Sequence, residues 1–255
     1  MKNFEIKDEY RLHQDKLDDF IANFNTKGTP FGNQQRNALR LFELNDSIIN
    51  IKSFKVPNIL NQIAYNFLRK SKAQRSFEYA LKLQELGIGT PEPIAYYEFK
   101  TPVLFKHSYY VSKQLDCDLT YRELTTDFNY PDYEQILREF TKFTYELHEK
   151  GVKFLDHSPG NTLIKKTADG YAFFLVDLNR MEFKQMDFEE RIKNFDRLTI
   201  HKSMVEIMSD EYAKLSGEDY NKIVDLMWKS TEEFQRKYHN KKKLKKKLKF
   251  WKKKN

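Results

Sequence analysis

Residues 154–180, FLDHSPGNTLIKKTADGYAFFLVDLNR, leave this chain few ways to fold. Two β-rich runs, Asn161 to Lys166 and Tyr171 to Asp177, flank the turn sequence TADG. They read as a hairpin with Gly170 at its turn. The apolar stretch Phe173 to Val176 marks the second strand as buried. That hairpin fixes three polar side chains: Asp156 and Asn161 on the loop before it, and Asp177 at the end of its second strand. A lone D-x-x-x-x-N is common in ordinary turns. Pro159-Gly160 before the Asn, the apolar strand and the terminal carboxylate make the combination specific.

The chemistry these residues suit is phosphoryl transfer. The D-x-x-x-x-N…D spacing resembles the protein-kinase active site. Such a site aligns an acceptor hydroxyl and neutralises phosphate charge, with little covalent help from the protein. Asp156 has the chemistry to orient the acceptor and take its proton. Asn161 and Asp177 offer the oxygen ligands that Mg2+ prefers. A nucleotide grip must come from upstream. Lys52, in NIKSFK, ends an I-x-I-K run similar to V-A-I-K, whose lysine reaches the phosphates of ATP. Lys55 lies an odd number of residues away, so it faces the other side of a strand and reads as solvated. Glu78, within the amphipathic RSFEYALKL, is the candidate partner of Lys52, while Glu85 sits nearer the helix end. GTPFGN carries Gly28 and Gly32 without the G-x-G-x-x-G pattern, and the amides from Phe31 to Gln34, around Gly32, are the candidate phosphate cover. His157 has no metal-ligand pattern beside it, and Cys117 has no evident histidine partner.

The rest of the chain fits a strand-rich first half and a helix-rich second half. Leu17 to Phe24 reads as a first strand. Ala38 to Leu44 and Ser47 to Lys55 read as strands joined by the turn-forming Asn45-Asp46. Asn58 to Leu86 reads as helix, broken near Arg69 to Lys72 and stopped at Gly87. Two further strands follow, the second over Ser108 to Leu115, and then a helix from Asp132 to Lys150, ended by Gly151. Beyond Phe188 the pattern is helical to about Tyr238. The expected division is 1–115 for a nucleotide-binding part, 116–240 for a catalytic part and 241–255 for a polybasic tail.

That tail, KKKLKKKLKFWKKKN, explains the charge. The chain carries +8 overall, and taking away the ten lysines of the tail leaves the body at −2. A general nucleic-acid-binding surface is therefore not expected. Leu244, Leu248 and Trp251 fall on one helical face among lysines, a pattern suited to an anionic membrane surface. With 21 Phe and 15 Tyr the chain has ample material for a core. One cysteine excludes an internal disulfide and fits a reducing cytosol. No apolar run reaches the ~20 residues of a membrane-spanning helix. No signal-peptide core opens the chain, so the expected location is cytoplasmic.

Taken together, NIKSFKVPN, FLRKSKAQRSFEYALKLQELGIGTPEPIAYYE, SYYVSKQL, LDHSPGNTLI and VDLNRMEF resemble the lipopolysaccharide kinases of the Kdo and heptose kinase group. The resemblance spans roughly residues 25–185. It implies an α+β, bilobal protein-kinase-like fold with a small N-terminal antiparallel sheet plus helix and a mostly helical C-terminal lobe. It implies ATP with Mg2+ as donor, and as acceptor a lipid-linked saccharide, an inner-core sugar, on the inner face of the inner membrane. Residue by residue it gives Lys52 and Glu78 the phosphate grip, Asp156 the base, and Asn161 with Asp177 the metal. The chain departs from the family where a histidine two residues before the Asp is usual, since Phe154 stands there. Leu155 replaces the arginine through which many protein kinases sense activation-loop phosphorylation, and Asp177 begins DLN rather than D-F-G. A kinase with another acceptor, a protein or a small aminosugar, and a nucleotide-binding pseudokinase are the alternatives.

Overall fold

The structure, a computed structural model, describes residues 1–33 and 37–254, with side chains through residue 246. The chain forms an α+β fold of two compact units. The first comprises Met1–Asp116 with the later segment Phe174–Arg180, and the second Cys117–Phe173 with Met181–Asn255.

The first unit is built on a six-stranded sheet. Its strands are β1 (Lys2–Ile6), β2 (Thr29–Phe31), β3 (Ala38–Leu44), β4 (Ser47–Ser53), β5 (Pro93–Lys100) and β6 (Phe105–Lys113), in the order β1-β5-β6-β4-β3-β2. β3 and β4 pair antiparallel with Leu39 opposite Lys52, across a turn in which Asn45 takes a positive φ of 55°. Asn tolerates that conformation better than most residues. Alternation along β4 sends Ile49 and Ile51 into the core with Phe42, Ile94, Tyr97 and Val111.

Leu17–Phe24, expected as a strand, is mostly helix: α1 spans Gln14–Ala22. Leu17, Ile21 and Phe24 recur at i, i+4 and i+7 and are all buried, while Asp18 and Asp19 lie outside that row. In so short an apolar run the helical period is easily mistaken for a strand. The helical stretch after β4 does break in two, into α2 (Ile59–Phe67) and α3 (Lys72–Glu85). Ser71 caps α3 by accepting from the Gln74 amide, and Phe77, Ala80 and Leu83 bury its inner face.

The second unit is mainly helical. It contains β7 (Leu119–Thr120), α4 (Tyr121–Leu124), α5 (Tyr133–Glu149), β8 (Val152–Phe154), β9 (Thr162–Thr167), β10 (Gly170–Leu175), β11 (Met181–Phe183), α6 (Phe188–Lys193), α7 (Lys202–Ser216) and α8 (Tyr220–Lys254). Its core joins Leu137 and Phe140 of α5 to Phe195, Met208 of α7 and Met227 of α8. β9 and β10 are the expected hairpin, and the last two residues of β10 pass into the first unit. α5 is followed by Gly151, whose φ of +68° favours glycine and where a β-carbon would crowd the Lys184 carbonyl at 3.2 Å. The lysine-rich segment continues α8 without a break as far as Lys254. Leu244 is exposed there, and the side chains of Leu248 and Trp251 lie outside the described residues.

Candidate active site

In the first unit, β4 carries Lys52 and the 174–180 segment carries Asp177, 125 residues later. That segment is tied down just before the acid: Leu175 donates its amide to Gly89 O, and Thr90 Oγ1 donates to Leu175 O, each at 2.9 Å. Lys52 Nζ then donates to Asp177 Oδ1 at 2.6 Å, with both side chains largely shielded from water. Asn179 Nδ2 donates to the same oxygen at 2.8 Å. Asp177 holds a left-handed backbone, φ 59°, which few side chains other than Gly, Asn and Asp adopt without strain. Backbone outliers of this kind cluster at functional sites, which makes this carboxylate a candidate.

Glu78 faces elsewhere. Its carboxylate takes both contacts from Lys70 Nζ, each at 2.9 Å, and a third from Gln74. The position opposite Lys52 is taken by Asp177. Gly32 lies just past β2 with φ +64° and nothing within 4 Å of where a side chain would start, so the backbone conformation alone requires glycine. Of the loop that follows it, residues 34–36 are outside the described residues.

The second unit positions the other two residues. β8 pairs antiparallel with β11, Phe154 opposite Met181 and Lys153 opposite Glu182, and delivers the chain into the 155–161 loop. Asp156 Oδ1 accepts from Arg197 Nη1 at 3.2 Å. Asn161 Nδ2 donates to the Asp156 carbonyl at 2.8 Å and so closes the loop on itself. With its nitrogen donating there, the Asn161 amide has Oδ1 as its acceptor atom. Asp177 in the first unit and Asn161 in the second each carry an oxygen of the type hard divalent cations take. Among the described residues no group of three His, Cys, Asp or Glu forms a ready cage.

Four residues that brace this loop, His148, Asn194, Tyr212 and Arg197, are not among those the sequence singles out. Phe154 is fully buried, and its carbonyl accepts from Asn194 Nδ2 at 2.9 Å. Asn194 in turn accepts through Oδ1 from His148 Nε2 at 3.3 Å, and His148 Nδ1 accepts from the Tyr212 hydroxyl at 3.0 Å. The direction of this chain follows from its last member: an Asn that donates to a carbonyl through its nitrogen has only its oxygen for the histidine. Burial pushes the His148 pKa down to about 4, so the ring is neutral. Hydrogen bonding to the loop therefore arrives from outside it, along α5, α6 and α7, where the usual histidine is replaced by Phe154. A polar His148 on the buried face of α5 was the one available signal. Asn194 and Arg197 gave none.

His157, next to Asp156, is packed among the rings of Phe140, Phe154 and Phe195. Neither ring nitrogen finds a hydrogen-bond partner. Burial, aided by neighbouring His148, lowers its pKa to about 3. It acts as an aromatic wedge under the loop, with no capacity for acid–base work near neutral pH.

Residues 33–225 match the family model described as Lipopolysaccharide kinase (Kdo/WaaP) family. No curated protein matches the chain. Among solved structures, one described as WaaP in complex with acyl carrier protein superposes with a TM-score of 0.62 at 15% identity, covering 93% of this chain and 98% of that one. At that identity the likeness concerns the fold, which is protein-kinase-like.

Proposed function

Since the chain belongs to the lipopolysaccharide kinase (Kdo/WaaP) family, we propose that it transfers the γ-phosphoryl group of ATP to a hydroxyl of a lipopolysaccharide inner-core sugar, Kdo or heptose on a lipid A precursor. The observation that carries this reading is the Lys52–Asp177 pair, a strand lysine on a left-handed aspartate. Each partner has a charge that Mg-ATP can satisfy in its place. Lys52 takes phosphate oxygens, and Asp177, with Asn161 supplying a neutral oxygen, takes the cation. Bound Mg2+ would neutralise phosphate charge as it develops. Glu78 serves the Lys52 grip once it leaves Lys70, and the backbone near Gly32 covers the phosphates.

Asp156 orients the acceptor hydroxyl and accepts its proton as the oxygen attacks phosphorus. Arg197 holds that carboxylate in place. The loop around it is fixed by Asn161 from within and by Asn194 from without, so the base is positioned before the acceptor arrives. The acceptor is lipid-linked, and the lysine-rich end of α8 supports work at an anionic membrane surface, peripheral on the cytoplasmic side of the inner membrane. Each lysine close to such a surface contributes about 1 kcal/mol. Among the described residues no helix is long and apolar enough to cross a membrane.

The deciding experiment is incubation of the protein with labelled ATP, Mg2+ and purified Kdo-lipid A, followed by mass analysis. One added phosphate on the sugar is the expected result. Transfer to a protein or an aminosugar, with none to the lipid, would replace this acceptor by another. Nucleotide binding without transfer to any of them would make the chain a pseudokinase.

A further inference from the structure

α2 is packed inside out. Of its nine residues none is buried. Ile59, Leu60, Ile63 and Phe67, with Leu68 just beyond, are 64, 78, 42, 63 and 82% exposed. The side that meets the first unit is the more polar one. Gln62 donates to Pro57 O, Asn66 donates to Pro102 O, and Tyr65 sets its ring against Phe105. The turn that Asn66 grips adds Val103, itself 61% exposed, to the same unit's apolar surface. A helix ordinarily hides its apolar stripe and wets its polar one. Here five large apolar side chains at i, i+1, i+4, i+8 and i+9 form a continuous outward strip, the kind of patch that marks an interaction surface.

The charge around the strip selects its occupant. From Ser47 to Phe77 there is no Asp or Glu, whereas Lys55 precedes the helix and Arg69 follows it, both exposed; Lys70, also exposed, is paired with Glu78. An apolar face flanked by cations matches the boundary between anionic headgroups and acyl chains, where such a helix lies in the plane of the interface. We propose that α2 is an interfacial anchor that inserts Leu60, Ile63 and Phe67 into the surface of an anionic lipid bilayer. Neither the phosphoryl donor nor the acceptor enters this proposal, and it is separate from the lysines of α8.

The two contributions separate by salt, because lysine attraction is screened and apolar insertion is not. The test uses the full chain on vesicles of phosphatidylglycerol with phosphatidylcholine, at low salt and at about 0.5 M salt. Wild type is expected to keep a salt-resistant fraction bound, and Leu60→Ser with Phe67→Ser to lower that fraction about tenfold or more. Both side chains are exposed, so the double variant should keep the wild-type Tm. In a Cys117→Ser background, an environment-sensitive dye on Leu60→Cys should shift to the blue and be quenched by brominated lipid. A dye that stays in water while the protein sediments would overturn the proposal. So would a wild-type dimer in solution that the double variant converts to monomer, since a second copy would then be what covers the strip.

Discussion

The side-chain amide of Asn194 donates to the carbonyl of Phe154 across 2.9 Å, joining the end of α6 to the strand that leads into the Asp156 loop. Both residues are buried. Where a kinase loop usually carries its own histidine, this chain braces the backbone from a different helix.

Asn194→Ala should therefore do two things. It leaves the Phe154 carbonyl and His148 Nε2 without partners in the core, at a cost of about 1–3 kcal/mol. It also loosens the loop, so turnover should fall with little change in KM for ATP. Denaturant unfolding and steady-state kinetics test both. Unchanged turnover at lowered stability would leave Asn194 a purely structural role.

Asp156→Ala is expected to abolish transfer while leaving nucleotide binding nearly intact, and Asp177→Ala to weaken Mg-ATP binding itself. Calorimetric titration of the two variants beside the wild type distinguishes them. Normal turnover by Asp156→Ala would remove it from the role of base.

Acid should destabilise the protein through its two buried histidines. Their folded values, about 4 for His148 and about 3 for His157, lie below the ordinary 6.5. Between those limits the unfolded chain binds protons that the folded chain refuses. Stability is then full above about pH 6.5 and falls as pH drops, by up to about 3 kcal/mol per pH unit when both rings are counted. His157→Phe keeps the aromatic packing and removes two unpartnered nitrogens, so it should flatten this slope and cost nothing at pH 7. Urea titrations from pH 7 to 5 make the comparison, and an unflattened slope would mean that other groups carry the acid sensitivity.

Arg197→Ala should barely alter stability, because the pair with Asp156 is about one-third exposed on each side and worth under about 1 kcal/mol. Its effect should appear in kcat, through a carboxylate that no longer holds one orientation. An unchanged kcat would reduce Arg197 to a surface contact.

Much of the framework was legible because it rests on local rules. The β3–β4 hairpin follows from alternation about Asn45-Asp46, the two helices before β5 from the break around Ser71, and the β9–β10 hairpin from its apolar strand and Gly170. α1 was misread because eight residues of mixed pattern satisfy both periods. The site was legible as a set of residue types more than as contacts. Nothing local says that Lys52 meets an aspartate 125 positions away, or that Lys70 occupies Glu78. The Asn194–His148–Tyr212 chain joins residues on three helices by tertiary packing alone, and α2 defeats pattern reading because its apolar stripe faces the wrong way.

The left-handed backbone at Asp177 bears on how the enzyme could fall silent. Alanine there lacks the short polar side chain that lets Asp tolerate φ 59°, so its loss of binding mixes chemistry with strain. Asparagine accepts the same backbone and, through Oδ1, the same Lys52 and Asn179 donors, but it lacks the charge and has an NH2 in place of the second carboxylate oxygen. A single base change separates the two codons. On the role proposed for Asp177, the scaffold thus stands one neutral-looking step from a twin that keeps the fold and loses its hold on the cation.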